Sequence, residues 1–403
     1  MESVEVAIVG GGHAGLATSW HLKQRGVEHV VLEAGRVAET WRSRRWDSFC
    51  LVTPNWSVAR LPGASAPADP DGFMPRDDLV RFFEGWAGSF GAPVVEQCPV
   101  RTIAPDDGHF ILDLPERKLR ARTVVVASGG YQRAHRPDNA DQMPADVVQL
   151  LAEDYRNPDS VPPGAVLVVG SGQTGIQLAE ELHRAGRRVI VACGRCSWTP
   201  RRLGPHDVVW WVVNSGFWNR TLADLPSPAA RLLGNIQATG QGGGHDLHFR
   251  VLHDTGVELV GRYIGTVDGR IILAPDLNQT LEASDNMTRV FKKYVDALSA
   301  QQGWPSPLDM PPPLQIDAPT ELDLAKERIG TVLWTTGYRP DYRWVHFPIF
   351  DTMGFPIQVD GHTEVPGLYF MGVHFQRKAQ SAVIYGAAED AEIVANHIVE
   401  RRG

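Results

Sequence analysis

Two glycine-rich turns constrain the fold of this 403-residue chain more than any other feature. The first, Gly10-x-Gly12-x-x-Gly15, follows the apolar run at 4–9 and precedes a helix-like run. In such a turn the first glycine permits the tight bend, the second lets a pyrophosphate approach the backbone, and the third lets helix and strand pack closely. The phosphates lie at the helix N-terminus, where free N–H groups favour anions. The turn therefore predicts a dinucleotide site.

A carboxylate stands where the strand after this helix ends. Glu33 follows the run 28–32, about twenty residues after the turn, and an acid at that place can accept hydrogen bonds from a ribose diol. We assign this first unit to the ADP half of FAD. Its predicted cofactor contacts are Gly10, Gly12, His13, Ala14, Gly15, Glu33 and Ala34.

The second turn, Gly170-x-Gly172-x-x-Gly175, also lies between a strand-like and a helix-like run. The strand that follows it ends without an acid, and Arg195 stands in that region. A guanidinium there removes repulsion and can pair with a ribose 2′-phosphate, which favours NADPH over NADH. The alternative is that the arginines are solvated surface charges. The predicted contacts of this unit are Gly170, Gly172, Gln173, Thr174, Gly175, Arg195, Arg201 and Arg202.

Two such units, about 160 residues apart, predict one bound flavin and one diffusing hydride donor. The expected fold class is α/β, with two Rossmann-like dinucleotide-binding domains. The FAD-binding domain takes 1–135 and 325–403, and the NADPH-binding domain, inserted into it, takes 160–325. Within the inserted domain, 206–320 adds loops or helices around the substrate cavity.

Three further strand-like runs end in glycines, which suits the close passage of a ligand. They lie at 123–130, 330–337 and 367–372, and the last precedes a helical pattern at 381–399. We expect that helix to begin near the flavin ring, where its N-terminal dipole favours negative charge on the reduced flavin. The contacts predicted from these runs are Gly129, Gly337, Tyr338, Gly372 and Ser381.

Four motifs together resemble the single-component flavin-containing monooxygenases, and in particular their bacterial flavoprotein oxidoreductase branch. They are the doubled fingerprint, Trp41 with the stretch 46–49, the stretch 155–158 before the second fingerprint, and the stretch 335–340. The resemblance covers nearly the whole chain and implies a class B enzyme with FAD and NADPH as cofactors. Trp41 and Arg42 are included among the predicted cofactor contacts.

The resemblance implies a cycle in which NADPH reduces FAD, O₂ adds at the flavin C4a, and the peroxide passes one oxygen atom to a small organic substrate. In this family the substrate is an amine, a sulfide or a carbonyl compound, and NADP⁺ stays bound to shield the peroxide from water. Because the flavin carries the difficult chemistry, few catalytic side chains are expected. We predict that Trp46, Asn55, His374 and Gln376 shape a dry pocket over the flavin.

Two positions depart from the family pattern. Leu151 stands where the family places a histidine before Tyr155, and Val52 aligns with an asparagine that many relatives carry, although Asn55 lies close by. An NADPH-dependent flavin oxidase or reductase that inserts no oxygen is therefore an alternative. A non-catalytic redox-sensing flavoprotein is a second one.

Two other clusters support weaker hypotheses. Cys193-x-x-Cys196 has the spacing of a redox dithiol, but it follows the second glycine-rich turn instead of preceding it, so coincidental cysteines are the better interpretation. His245, His248 and His253 form the densest histidine group. Nothing near them in sequence completes a ligand set, and no metal is predicted.

Composition and charge bear on partners and location. A net charge of −8 gives no general attraction for nucleic acid or an anionic membrane. No apolar run approaches the roughly 20 residues of a membrane span. Four cysteines in a chain of this length make no disulfide framework, so a cytoplasmic location is expected. The expected assembly is a homodimer, and the expected partners are a small-molecule substrate and O₂.

Overall fold

The computed structural model describes residues 1–233 and 236–402 and contains two large β-sheets flanked by helices. The strands of this described part are β1 (Glu2–Val9), β2 (His29–Leu32), β3 (Val94–Val95), β4 (Thr102–Asp106), β5 (His109–Asp113), β6 (Lys118–Val126), β7 (Arg133–Ala134), β8 (Val148–Leu151), β9 (Ala165–Val169), β10 (Val189–Ala192), β11 (Arg202–Leu203), β12 (His206–Asp207), β13 (Glu258–Val260), β14 (Tyr263–Val267), β15 (Arg270–Leu273), β16 (Glu321–Asp323), β17 (Ile329–Trp334), β18 (Tyr338–Arg339) and β19 (Leu368–Phe370).

The helices are placed between these strands. The α-helices of the described residues are α1 (His13–Gln24), α2 (Glu39–Ser43), α3 (Arg76–Ser89), α4 (Gln173–Arg184), α5 (Val208–Asn214), α6 (Phe249–Asp254), α7 (Leu277–Gln302) and α8 (Ile384–Glu400). Short 3₁₀ helices cover Asn55–Arg60, Asp138–Gln142, Pro158–Ser160, Phe217–Asn219, Leu222–Asp224, Pro228–Leu232, Gln241–Gly243 and Ala379–Ala382. Among these residues, no helix combines the length and the apolar character that crossing a membrane requires.

The first sheet has the order β3-β2-β1-β6-β5-β4, and β19 pairs with the C-terminal part of β6. Parallel pairing sets Val9 beside Leu32 and Val126, so β1, β2 and β6 end at one edge. Alternate side chains of β1 enter two cores: Ile8 packs with α1 and α8, and Val9 packs on the opposite face. Burial on both faces explains why the run 4–9 is almost continuously apolar.

The second sheet has the order β13-β10-β9-β17-β8, and every pair in it is parallel. This order corrects the predicted domain boundaries. The boundary at 325 assigned the run 329–334 to the FAD-binding domain, and 148–151 lay outside both predicted domains. Both runs are strands of the second sheet, β17 and β8. Strand pairing between distant parts of a chain leaves no local pattern, which is why the sequence showed a strand at 329–334 but not its sheet.

The chain crosses between the two sheets twice, and the two crossings lie side by side. β7 pairs antiparallel with β18, and the amide of His135 donates to the carbonyl of Gly337 at 2.8 Å. The architecture confirms the predicted fold class, α/β with two Rossmann-like dinucleotide-binding units, one of which interrupts the other.

The segment between β12 and β16 adds helices and a small sheet to the second unit. α5 and the 26-residue α7 pack around Trp211, Phe217 and Phe291 in an apolar cluster of their own. β14, β15 and β16 form a three-stranded antiparallel sheet. The segment thus adds an apolar cluster that is separate from the two cores of the second sheet.

Candidate active site

One cavity of about 1480 Å³ is lined from both glycine-rich units and from the segment around α5. Gly12 and Gly172 contribute the two turns, and Val209 contributes the α5 wall. A pocket for one drug-sized ligand usually measures about 300–1,000 Å³. The cavity is therefore large enough for more than one ligand.

The first turn has a shape that only glycines permit. Gly10 has a φ of 117°, and a Cβ there would overlap the carbonyl oxygen of Ala127 at the end of β6. A Cβ on Gly15 would overlap the carbonyl oxygen of Gly10. An added Cβ on Gly12 would meet nothing within 4 Å, so this residue faces open space in the cavity. Gly12 caps α1 without a side chain, which leaves the first amides of the helix open to an anion. The turn fits a pyrophosphate.

Glu33 closes the same turn from the end of β2. Its Oε2 accepts a hydrogen bond from the amide of Gly11 at 2.6 Å, and its Oε1 accepts one from the amide of Gly35 at 2.8 Å. The side chain also lines the cavity. Because a carboxylate offers about four acceptor positions, Glu33 can hold the turn and still accept from a ribose hydroxyl.

The second turn repeats this geometry with other partners. Gly170 has a φ of 109°, and a Cβ there would lie 2.6 Å from the carbonyl oxygen of Thr335, just after β17. A Cβ on Gly175 would overlap the carbonyl oxygen of Gly170. Gly172 caps α4 without a side chain and faces open space. The second turn therefore fits a pyrophosphate as well as the first does.

The three arginines predicted for the 2′-phosphate are placed differently. Arg195 is exposed and lines the cavity. Arg201 is buried, forms an ion pair with Asp207 at 2.8 Å and lies 4.2 Å from the centre of the Phe73 ring. Arg202 is exposed on β11 and does not line the cavity. The structure thus leaves Arg195 as the phosphate candidate and corrects the assignment of Arg201 and Arg202.

Most of the other predicted cofactor contacts face the cavity. The predicted residues that line it are Gly10, Gly12, His13, Ala14, Glu33, Ala34, Trp41, Gly129, Gly170, Gly172, Gln173, Thr174, Arg195, Gly337, Tyr338 and Gly372. Arg42 does not line the cavity, and its guanidinium forms an ion pair with Glu84. Ser381 is buried, and its Oγ accepts from the amides of Arg377 and Lys378 at 3.2 and 3.1 Å. Ser381 therefore holds the turn before α8 instead of facing a ligand.

Two of the four residues predicted to shape the substrate pocket line the cavity, and two do not. Trp46 and His374 line it. Asn55 is buried and holds a loop: its Nδ2 donates to the carbonyl of Asp69 at 2.9 Å, and its Oδ1 accepts from the amide of Met74 at 2.7 Å. Gln376 is buried and does not line the cavity, and its backbone carbonyl accepts a hydrogen bond from Nε2 of Gln358. Asn55 and Gln376 are therefore structural residues.

Two histidines in the cavity wall are held neutral by their surroundings. Burial, together with the charge of Arg231, lowers the pKa of His374 to about 4. The His374 ring centroid lies 5.2 Å from that of Tyr131, edge to face. Burial also lowers the pKa of His13 to about 4. At neutral pH both rings can donate or accept a hydrogen bond but carry no charge.

The cavity contains residues that sequence reasoning missed. Arg45 lies 5.2 Å from the centre of the Trp41 ring, and its position between Trp41 and Trp46 was the available clue. Tyr131 follows the predicted glycine turn at 129 and could have been included with it. Arg220 also lines the cavity, and no local pattern marks it. Its backbone carbonyl accepts a hydrogen bond from the amide of Ala379, which is distant in the sequence.

The weaker hypotheses find no support in the geometry. Burial raises the pKa of both Cys193 and Cys196 to about 12, so neither thiol is a nucleophilic thiolate at neutral pH. His245 lies 2.7 Å from Glu180, and burial lowers the pKa of His248 to about 4. Within 1–233 and 236–402, no three His, Cys, Asp or Glu side chains converge as a metal site would require.

The family of the chain follows from its first half. Residues 7–215 match the family model of pyridine nucleotide-disulphide oxidoreductases, which is more than half of the chain, so the chain belongs to this family. It is 27% identical over 399 residues to an uncharacterized oxidoreductase, CzcO-like, of Geobacillus kaustophilus, with 98% of each chain covered. It is 30% identical over 247 residues to the indole-3-pyruvate monooxygenase YUCCA4 of Oryza sativa, with 52% of this chain and 56% of the other covered.

The fold has a close counterpart among solved structures. A variant of the flavin monooxygenase from Stenotrophomonas maltophilia superposes with a TM-score of 0.70 at 17% identity, with 100% of each chain covered. The resemblance to flavin monooxygenases that the motifs indicated is confirmed. The chain is an oxidoreductase of this family, and its fold is that of the flavin monooxygenases.

Proposed function

We propose that this protein is an NADPH-dependent FAD monooxygenase that transfers one oxygen atom from O₂ to a small organic substrate. The observation that carries the proposal is that two open pyrophosphate turns and an apolar chamber line one shared cavity. Two dinucleotides account for the turns, and the chamber around α5 remains for a third molecule. The monooxygenases among the similar proteins support the same reaction class.

The nucleotides are held by the two turns and the strand ends beside them. The open amides at Gly12 and Gly172 bind pyrophosphate, and Glu33 binds a ribose of FAD. Arg195 binds the 2′-phosphate of NADPH and thereby selects it over NADH. When bound, FAD supplies the electron transfer and oxygen chemistry, and the chain supplies binding, orientation and electrostatics.

Exclusion of water is the main contribution of the chamber. Its wall includes Val208, Val212 and Phe217, all of them buried. An apolar wall protects reactive groups from hydrolysis and proton leakage. Neutral His374 adds a hydrogen-bonding group at the cavity wall without adding a charge. Trp46 packs edge to face against Phe49, with ring centroids 5.1 Å apart, and both residues line the cavity.

Leu151, the departure from the family motif, lies outside the cavity wall. It is the last residue of β8, where it pairs with Trp334 and packs partly buried against the second sheet's core. A residue at this edge strand supports the sheet and contacts no cavity ligand. The replacement of a histidine here is therefore compatible with oxygen transfer.

The test follows one turnover of the FAD-loaded protein. The enzyme is reduced with NADPH without oxygen and then mixed with ¹⁸O₂ and thioanisole, cyclohexanone or N,N-dimethylaniline, one probe for each substrate class. We expect a product that carries one ¹⁸O atom. Without any probe, we expect H₂O₂ release to lag behind O₂ uptake, because a monooxygenase retains the oxygen it has activated.

The control is the oxidised enzyme with NADP⁺, the same probe and added H₂O₂, which measures oxidation by free peroxide. H₂O₂ release at the rate of O₂ uptake, together with no labelled product from any probe, would contradict oxygen transfer and favour the oxidase alternative. A protein that binds both nucleotides but oxidises no NADPH would favour the redox-sensing alternative.

Two further features belong to the same proposal. We infer that the enzyme works in the cytoplasm, because its cofactors are intracellular metabolites, and that it forms a homodimer, the commonest assembly. Sedimentation velocity of the FAD-loaded protein checks the second statement, and a monomer at micromolar concentration would contradict it.

A further inference from the structure

The chamber beyond the two turns is built almost entirely from apolar side chains. They come from α5, the 3₁₀ helix Phe217–Asn219, α7 and the start of α8. The residues that form this wall are Val208, Val212, Phe217, Trp218, Val290 and Ile384. Binding pockets of this kind take an apolar ligand body and fix its orientation with a few polar groups.

One of these polar groups is the guanidinium of Arg220. Its Cζ lies 3.6 Å from the centre of the Phe217 ring, and its Nε donates to the carbonyl of Phe217 at 3.0 Å. The backbone is fixed as well, because the carbonyl of Arg220 accepts from the amide of Ala379 at 2.8 Å. The side chain lines the cavity and is half-buried. Arg220 is thus held in place beside the helix turn that precedes α8.

No carboxylate in the described part of the chain lies within ion-pair distance of Arg220. Burial lowers the pKa of its guanidinium, and electrostatic interaction with Tyr294 and with Asp224, which also lines the cavity, opposes this effect. The Asp224 carboxylate already accepts from the amide of Thr221 at 2.7 Å and from its Oγ1 at 2.9 Å. A cation in apolar surroundings is costly unless an anion approaches it. Among the described residues, the guanidinium of Arg220 therefore has no carboxylate in direct contact.

A second arginine of the cavity, Arg231, provides a comparison, because its guanidinium is paired with a carboxylate. Arg231 is buried, lies 3.3 Å from the carboxylate of Asp351 and 4.1 Å from the centre of the Phe355 ring. Burial lowers its pKa too, and the charge of Asp351 opposes this effect. Arg231 has its counter-ion within the protein, whereas Arg220 does not.

We propose that Arg220 binds the carboxylate of the substrate, and that the substrate class is carboxylic acids with an apolar, preferably aromatic body. The forked guanidinium accepts a carboxylate in two parallel hydrogen bonds, and the Phe217 ring beneath it keeps the fork in one plane. The apolar body of the acid then lies against Trp218 and the side chains of α5 and α7. This inference rests on the proposed function, because that proposal assigns the chamber to the substrate.

The nucleotide phosphates have their own partners at other places. The starts of α1 and α4 present open amides to pyrophosphate, and Arg195 faces the cavity at the second strand end. The backbone carbonyl of Arg220 instead accepts a hydrogen bond from the amide of Ala379, shortly before α8. An anion at Arg220 is accordingly a different molecule from either nucleotide, and the experiment tests this directly.

The experiment measures equilibrium binding to the oxidised, FAD-loaded enzyme with NADP⁺ present. The matched probes are 3-phenylpropionate and the isosteric neutral 3-phenylpropionamide, titrated at pH 7 by calorimetry or by the change in flavin absorbance. We expect the acid to bind about 10- to 100-fold more tightly than the amide, the effect of a charge-assisted hydrogen bond. Arg220→Gln should abolish this preference and leave amide binding unchanged, and Arg220→Lys should restore part of it.

Arg231→Gln is the matched control, since it removes a guanidinium from the same cavity. Equal affinities for acid and amide in the wild type, or no binding of either at millimolar concentration, would overturn the proposal. So would loss of the preference in Arg231→Gln but not in Arg220→Gln. Weaker NADP⁺ or FAD binding in Arg220→Gln, with acid preference intact, would make Arg220 a cofactor ligand and also overturn it.

The binding measurement involves no oxygen transfer, so the two proposals fail separately. Acid preference that depends on Arg220, in an enzyme that releases H₂O₂ without delay, would retain the substrate class and reject the monooxygenase. Labelled product from thioanisole without any acid preference would do the reverse.

Discussion

The two glycine-rich units share a backbone and differ in what surrounds it. Gly10 and Gly170 have φ values of 117° and 109°, and both are closed by a carbonyl from the end of the neighbouring strand. Gly12 and Gly172 both face open space. In both units, the close packing of the strand against the helix requires the same turn conformation. The turn geometry therefore specifies a dinucleotide but does not specify which one.

The difference lies at the strand ends and in the first helical residue. The first unit has Glu33 at its strand end, bonded back to the turn, whereas the second has exposed Arg195 in the corresponding region. The first turn continues with His13, whose buried Nε2 has no hydrogen-bond partner among the described atoms. The second continues with Gln173, whose Nε2 donates to the carbonyl of Ile236 at 3.4 Å. Charge and protonation, not backbone shape, separate the two sites.

The largest expected effect comes from filling one open turn at a time. Gly12→Val should give folded protein without flavin, because the φ of −85° suits valine and its side chain would occupy the pyrophosphate position. Gly172→Val should retain FAD and raise the KM for NADPH by at least about tenfold. Flavin absorbance and steady-state kinetics measure the two effects. Each variant is the control for the other, and a yellow, FAD-loaded Gly12→Val protein would contradict the assignment of the first turn.

A smaller effect is expected from the strand end of the second unit. Arg195→Ala should raise the KM for NADPH by about 10- to 100-fold, the loss of one charge-assisted phosphate contact, and should change the KM for NADH little. Arg202→Ala is the matched control, because that arginine is exposed and lies outside the cavity wall. Equal losses for both coenzymes would show that Arg195 does not contact the 2′-phosphate.

The smallest effect concerns His13, which follows Gly12 in the first turn. Burial lowers the pKa of His13 from 6.5 to about 4, so between these values the unfolded chain binds a proton that the folded chain does not. The free energy of unfolding should fall as pH falls through this window, by roughly 1–2 kcal/mol for this histidine at pH 5. His13→Gln copies the second unit and should reduce the loss between pH 7 and pH 5. Urea unfolding of the FAD-loaded protein at pH 7 and at pH 5 measures this loss. The same pH dependence of the free energy of unfolding in the wild type and in His13→Gln would argue against a buried, neutral His13.

The sequence was most informative where function depends on short, local spacing. The turns, the strand-turn-helix order and Glu33 occupy consecutive positions, so their relation in space follows from local geometry. Arg195 was also predicted, because it lies shortly after the strand end, and it lines the cavity. Arg201, Asn55 and Gln376 were assigned wrongly to the site for the opposite reason. Each was predicted from its position in the sequence, but its side chain does not line the cavity and contacts other parts of the chain, as Arg201 does with Asp207 and Asn55 with Met74.

The sequence by itself determined the α/β class and the two glycine-rich turns, and it predicted Glu33 and Arg195 at the strand ends beside them, because these features depend on backbone conformation over a few residues. The tertiary structure decided which sheet holds β17, which of three arginines reaches the cavity, and that Arg220 lines an apolar chamber with no carboxylate beside it in the described residues. Such features depend on contacts between residues far apart in the chain. A single sequence contains no repeating pattern from which those contacts could be inferred.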